Sequence, residues 1–367
     1  MLSMFPTRHT PTPTTASPSD APSHAASSAP PSPLVVVVTG ASSGIGHATA
    51  LALARTGARL VLAARNADTL APVAKACRAE GASAALAVPT DVTDADAVDR
   101  LARTAVGHHG RIDVWVNCVG VGALGEFHQT PVAAHRRVVE ANLLGHLYGA
   151  HAALRQFRAQ GQGRLINLVS AGGWIPTPFA AAYTASKFGL RGLSAALRAE
   201  VAHLPGIHVC DVAPTVVDTP GLSHVANYTG RNIDPPLPML DPRRVADAVV
   251  GLAQAPQPRA TTWVGAAAAP ARVAQAVAPQ AMGAFLRWAT EKALHMAGPA
   301  RPSDGNLFAP SRSTAVDGGQ RRSLQHTLAR AAALGAFGLV LGAWAARQQR
   351  PAPARYPAAG ARDGKAP

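Results

Sequence analysis

Four consecutive β-branched residues, Val35 to Val38, run directly into Thr39-Gly40-Ala41-Ser42-Ser43-Gly44-Ile45-Gly46 and then into the helical pattern of His47 to Arg55. Such a run suits a strand buried on both faces, which confines the chain to an α/β arrangement with a parallel sheet. A strand, a glycine turn and a helix N-terminus together present unpaired backbone N–H groups and the positive end of a helix dipole to an anion such as a phosphate. Gly40, Gly44 and Gly46 stand where a Cβ would obstruct that approach, in the spacing GxxxGxG rather than GxGxxG.

The elements that follow keep the alternation. A second apolar strand, Arg59 to Ala64, precedes a helix from about Asn66 to Glu80 that ends at Gly81, and a third strand covers Ala84 to Val88. Thr93 followed by Asp96 resembles a helix start, opening a helix to about His108. Further strands are expected at Ile112 to Asn117, Arg164 to Val169, Ile207 to Val212 and Thr261 to Val264, and long helices at about Pro131 to Arg158 and Ala180 to His203. This order predicts a Rossmann-like doubly wound parallel sheet, helices on both faces, with the ligand crevice at the carboxyl ends of the strands. In such sheets an acidic residue at the end of the second strand holds ribose hydroxyls. Here Ala63 and Ala64 stand there and Arg65 follows, which suits a 2′-phosphate and favours NADP(H) over NAD(H). An arginine that merely caps a surface strand is the alternative.

Composition removes other classes. The net charge is +14, but residues beyond 300 hold ten Lys or Arg against three Asp or Glu, so half of the excess is a basic tail. No aromatic and basic interleaving accompanies it, so nucleic acid is not an expected partner. Cys77, Cys118 and Cys210 are odd in number, far apart and set among apolar residues, as buried thiols of a reducing compartment are. Neither HExxH nor paired CxxC spacing occurs, which leaves a metal site without support.

Ser170 follows the fifth strand, and Tyr183 with Lys187 lies in YTASK on the next helix, four residues apart and on one face. A tyrosine is a poor base at its ordinary pKa of about 10. An ammonium roughly 5 Å away, at an effective dielectric near 20, favours the phenolate by about 3 kcal/mol, on the order of two pKa units. Tyr183 is therefore expected to exchange a proton near neutral pH.

With these residues in view the chain resembles the short-chain dehydrogenase/reductase family. TGASSGIG at Thr39 to Gly46, Asp91 after the third strand, Asn142 in the fourth helix, Ser170, and Tyr183 with Lys187 appear in the family's order over about residues 34 to 265. The resemblance implies that Tyr183 is the acid or base at a carbonyl or hydroxyl oxygen and that Ser170 hydrogen-bonds the same oxygen. By the same token Lys187 lowers the pKa of Tyr183 and holds the nicotinamide ribose, and Asn142 anchors a water linking Lys187 to solvent. For the cofactor it implies contacts from Thr39, Gly40, Ser42, Ser43, Gly44, Ile45 and Gly46, from Arg65, from Asp91 and Val92 beside the adenine, and from Asn117, Gly120, Tyr183, Lys187, Pro214 and Thr215. Two departures concern backbone fit on the nicotinamide side: the family's NNAG reads Asn117-Cys118-Val119-Gly120, and its Pro-Gly reads Pro214-Thr215. A homodimer through the long helices is the assembly the family implies.

Around this core the chain is expected to divide into a Pro/Ser/Thr-rich disordered arm over 1–33, the catalytic domain over 34–265, an amphipathic helical extension over 266–298 and a loose linker over 299–323. A candidate transmembrane or membrane-associated helix over 324–347 and a basic disordered tail over 348–367 complete it. The run Ala331 to Ala346 carries no charge and, with Leu328 and Ala329, approaches the roughly 20 residues that span a bilayer; a helix docked on protein is the alternative. The catalytic domain would then face the cytoplasm, on the inner face of a membrane. Thr219 to Leu240, with Leu222, Val225, Tyr228, Ile233, Leu237 and Met239, looks like a lid over a hydrophobic substrate or like a loop packed on the domain. The expectation is an NADP(H)-dependent oxidoreductase interconverting a carbonyl and a secondary alcohol. A catalytically silent cofactor-binding regulator and an NAD-linked dehydrogenase are the alternatives.

Overall fold

The computed structural model describes residues 32–233, 238–265 and 268–321. The arm over 1–31, Leu237 of the lid segment, the run 328–346 and the basic tail lie outside the described residues. No helix among the described residues is long and apolar enough to cross a membrane.

Seven parallel strands make the main sheet: β1 Val35–Thr39, β2 Arg59–Ala64, β3 Ala84–Pro89, β4 Val114–Asn117, β6 Gly163–Leu168, β7 Ile207–Pro214 and β9 Thr261–Val264, in the order β3-β2-β1-β4-β6-β7-β9. The order reverses beside β1, so the crevice of the fold opens between the carboxyl ends of β1 and β4. Val35 to Val38 are all at most 1% exposed, because one residue set packs on each face. Burying each such valine contributes about 1.5 to 3 kcal/mol.

The helices are α1 Gly44–Ala54, α2 Ala67–Ala79, α3 Ala95–His109, α4 Val132–Val139, α5 Gly145–Gln160, α6 Ala181–Glu200 and α8 Pro242–Gln254. Two boundaries depart from expectation. The N-cap of α3 is Asp94, whose carboxylate accepts from Asp96 N and Ala97 N; Thr93 instead joins the turn around Asp91. The helix expected from Pro131 to Arg158 is broken by a π turn, Glu140–Leu144, in which Gly145 N–H reaches back to Glu140 O. That widened turn brings Asn142 to 0% exposure.

The lid segment contains the short helix α7, Pro220–Ser223, and β8, Ala226–Asn227, which pairs in parallel with β5, Ala123–Leu124. Helices α9, Ala268–Val277, and α10, Pro279–Met296, form the expected pair beyond the sheet, and α10 has no buried residue. The stretch expected as a loose linker is instead bonded to the domain. It bridges antiparallel to the lid segment at Asn227 with Ser303 and at Arg231 with Pro299, and it continues along the carboxyl edge of the sheet to Arg321. Backbone hydrogen bonds and one fully buried side chain, Leu307, hold it there, which the Pro, Ser and Gly content did not foretell.

Candidate active site

Residues expected to carry chemistry gather where β6 ends. Ser170 leaves the strand with φ 89° and ψ 152°, a backbone conformation that costs a non-glycine residue on the order of 1–3 kcal/mol. Its Oγ accepts from Gly172 N at 3.2 Å, which anchors the hydroxyl beside Tyr183 on α6. One helical turn on, Lys187 is 4% exposed, with Nζ donating to Leu168 O at 2.8 Å and lying 5.8 Å from the Tyr183 ring centre.

The electrostatics differ from expectation. Although part of the Tyr183 side chain reaches the surface, burial around its hydroxyl raises the pKa, and the Ser170 hydroxyl offsets this only in part. Lys187, whose own pKa burial lowers to about 8, does not offset that rise. Tyr183 accordingly holds its proton at neutral pH in this state.

Asn142 belongs to the same cluster. Its Oδ1 accepts from Val121 N at 2.8 Å, and its Nδ2 donates to Val121 O at 2.9 Å and Ser186 Oγ at 3.2 Å, so the side chain clamps the loop after β4 onto α6. The floor of that loop ends at the exposed Gly120, beside which a Cβ would meet open space. Asn117 is directed elsewhere. At 1% exposure it accepts from Trp115 Nε1 and donates to His146 O and to Asn167 Oδ1, a network inside the sheet. Val119 O accepts from His146 Nε2, on an imidazole whose pKa burial pushes down to about 3 and which is therefore neutral. Burial likewise raises the Cys118 thiol to about 12, so the cysteine beside the site is an apolar filler.

Across the crevice, at the end of β1, the glycine turn is fixed by its own packing. A Cβ on Gly46 would fall on the Gly40 carbonyl oxygen. Thr39 Oγ1 accepts from Cys118 N and donates to Val116 O, tying β1 to β4. Ser43 begins α1 without a side-chain cap, and the buried Gly44 in that first turn donates its N–H to Ala315 O, while Ser42 and Ile45 are half-buried. Thr219 closes over this turn, so that a Cβ on Gly44 would lie 3.1 Å from Thr219 Cβ, and β7 ends at Pro214, after which Thr215 N donates to Val264 O.

Arg65 and Asp91 meet at the ends of β2 and β3, joined by a residue that reading the sequence missed. Arg137 on α4 donates to Asp91 Oδ2 at 3.0 Å, to Thr93 Oγ1 at 2.6 Å and, through Nε, to Leu307 O at 3.1 Å. Burial alone would raise the Asp91 pKa, but hydrogen bonds from Thr93 and Arg137 outweigh it and leave it lowered. Val92, buried next to Asp91, packs against Gly145. Nothing local in the sequence marks Arg137 or Thr219, since each is brought in by an element distant along the chain. An apolar groove lined by Phe127, Val132, Val139, Leu144 and Ala182 also lies on α4 and α6, and it includes neither Ser170, Tyr183 nor Lys187.

A family model described as short chain dehydrogenase matches residues 34–228. An uncharacterized oxidoreductase of Staphylococcus haemolyticus is 36% identical over 216 residues, 59% of this chain and 89% of that protein. The uncharacterized oxidoreductase YxnA of Bacillus subtilis is 30% identical over 273 residues, 74% of this chain and 76% of that protein. Among solved structures, an alcohol dehydrogenase from the archaeon Thermococcus sibiricus complexed with 5-hydroxy-NADP is similar at a TM-score of 0.56 and 26% identity, over 63% of this chain and 95% of that one. A metagenomic short-chain oxidoreductase in complex with NADP is similar at a TM-score of 0.54 and 33% identity, over 63% and 96% of the two chains.

Proposed function

Since the chain belongs to the short-chain dehydrogenase family, we propose that this oxidoreductase interconverts a carbonyl and a secondary alcohol with NADP(H), on a hydrophobic small molecule. The observation that carries the reading is the convergence of Ser170, Tyr183 and Lys187 at the end of β6, with Lys187 Nζ fixed on Leu168 O.

The residues present fit a nicotinamide dinucleotide. The first turn of α1 lacks a side-chain cap, Gly120 borders open space, and two guanidiniums, Arg65 and Arg137, converge near Asp91. When bound, the nicotinamide supplies or takes the hydride. Tyr183 then gives its proton to the carbonyl oxygen while the Ser170 hydroxyl donates a hydrogen bond to the same oxygen. Lys187 holds positive charge beside the developing phenolate, and Asn142 keeps the loop and helix at their spacing. No further acid or base is needed for that exchange.

Arg65 supports NADP over NAD, as do two similar structures that contain NADP or its 5-hydroxy derivative. The raised pKa of Tyr183 favours reduction at neutral pH, because the donor form is the populated one, and alcohol oxidation should accelerate as pH rises. A homodimer is part of this reading, with the apolar groove on α4 and α6 and the exposed Phe127 and Val132 supporting that face. The test follows NADPH and NADH consumption with apolar aldehydes and ketones. Turnover with NADPH, suppressed in Tyr183→Phe, is expected, and equal rates for variant and wild type would sink the mechanism.

A further inference from the structure

Carbonyl oxygens of residues 306–315 sit on the donors that a dinucleotide's anionic groups would need. Arg65 Nη2 donates to Asn306 O at 2.8 Å and Ala309 O at 3.3 Å, Arg65 Nη1 donates to Leu307 O at 3.2 Å, and Arg137 Nε donates to that same Leu307 oxygen. Farther along, Gly44 N in the uncapped first turn of α1 donates to Ala315 O at 2.9 Å, and the His47 ring bonds Thr314 O through Nδ1 at 2.7 Å. One segment thus satisfies both a guanidinium pair and a helix N-terminus, using only acceptors.

Its attachment is specific at both ends. Leu307 is 1% exposed within a cluster of Ala123, Ala134, Val138, Ala182 and Ala226, against which Tyr183 also packs. Asp218, also 1% exposed, accepts from Gln320 N at 3.0 Å, Arg321 N at 3.2 Å and the Arg321 guanidinium. Gly318 approaches so closely that a Cβ there would lie 2.6 Å from Asp218 Oδ1 and 2.7 Å from Thr219 O.

We propose that residues 306–321 are an autoinhibitory strap whose backbone carbonyls occupy the anion positions of the NADP(H) site, so that strap and dinucleotide exclude one another. The proposal rests on the NADP(H) reading above. An N–H already aligned on a carbonyl cannot also hold a phosphate oxygen, so the cofactor binds only the fraction of molecules whose strap has left, and its apparent affinity falls by that fraction. The antiparallel pairing of 299–303 with 227–231 remains as the tether.

The experiment is amide hydrogen exchange on the full chain with and without saturating NADPH, and separately with adenosine 2′,5′-bisphosphate, which carries the 2′-phosphate but no nicotinamide. Exchange over 306–321 should rise on binding while that of 39–46 falls. Strap amides that become slower, or stay unchanged with ligand bound, overturn the proposal and leave the reductase reading standing. Leu307→Ala and Arg321→Gln, each checked for intact near-UV circular dichroism, should tighten NADPH binding by on the order of tenfold. If wild type binds no NADPH, binding by these variants supports the strap, and failure of both variants to bind overturns it. Strap release by the bisphosphate, with no carbonyl turnover from NADPH in wild type or in either variant, would instead keep the strap and remove the proposed reaction.

Discussion

The two ends of the groove are prepared differently. At the catalytic end, Ser170, Tyr183, Lys187 and Asn142 are fixed by the sheet and α6, while Gly120 and part of Tyr183 face solvent. At the glycine-turn end, Arg65, Arg137 and Gly44 N are already engaged by carbonyls of residues 306–315. Preorganisation at the first end lowers the reorganisation needed at the moment of reaction. Occupancy at the second raises the free energy of binding before any reaction begins. On the proposed reading, the site is complete in its chemistry and still closed to its cofactor.

Substitutions that act on one end and spare the other test this contrast. The largest effect is expected from Tyr183→Phe, which should lower carbonyl turnover by about a thousandfold with NADPH binding unchanged, measured by steady-state rates beside a fluorescence titration. Gly46→Ala strikes the opposite end. Its Cβ has no room against the Gly40 carbonyl, and a loss of about 3 kcal/mol is expected in urea unfolding, where a loss below about 1 kcal/mol would show the turn to be pliable. Arg65→Ala would remove the proposed charge-assisted contact to phosphate together with its bonds to the carbonyls of residues 306–309. NADPH affinity should fall by roughly ten- to a hundredfold while NADH affinity does not fall, and a parallel loss for both would place Arg65 outside phosphate recognition.

The smallest effect is read from pH. Lys187 titrates near 8 in the folded chain, below its ordinary 10.5, so at this group the unfolded chain binds more protons between those values and its own contribution to stability rises with pH, against the opposing contribution of Cys77, Cys118 and Cys210, whose thiols burial keeps protonated. Taken as the difference between wild type and Lys187→Met in urea unfolding, this contribution should grow by about 2 kcal/mol between pH 8 and 10. Tyr183, raised above its ordinary 10.0, opposes it only at higher pH, where the folded chain holds the extra proton.

Much of the proposed catalytic end could be located because its residues are close along the chain. Tyr183 and Lys187 share one helix, and Ser170 stands at a strand end recognisable from its apolar run. The valines of β1, the glycine turn and the alternation of strands and helices carry periodicities that a buried parallel sheet imposes on any chain. Arg65 could be located by the same logic, since it closes a strand. Asn142 was assigned to a continuous helix, and only packing against Val121 and Ser186 revealed the π turn that buries it.

Local pattern thus determined the sheet, the turn and the positions of the side chains proposed to handle the proton, because each depends on neighbours within a few residues. Tertiary structure decided what those groups experience. Burial reversed the expected shift of Tyr183, since desolvation sums over residues from many elements and the Ser170 hydroxyl offsets it only in part, with the Lys187 ammonium 5.8 Å from the ring centre. It also brought Arg137 to Arg65 and laid residues 306–321 over them both. Contacts separated by 170 residues or more, such as Arg137 with Leu307, leave no periodic trace in a single sequence, because backbone carbonyls are acceptors whatever side chains they carry.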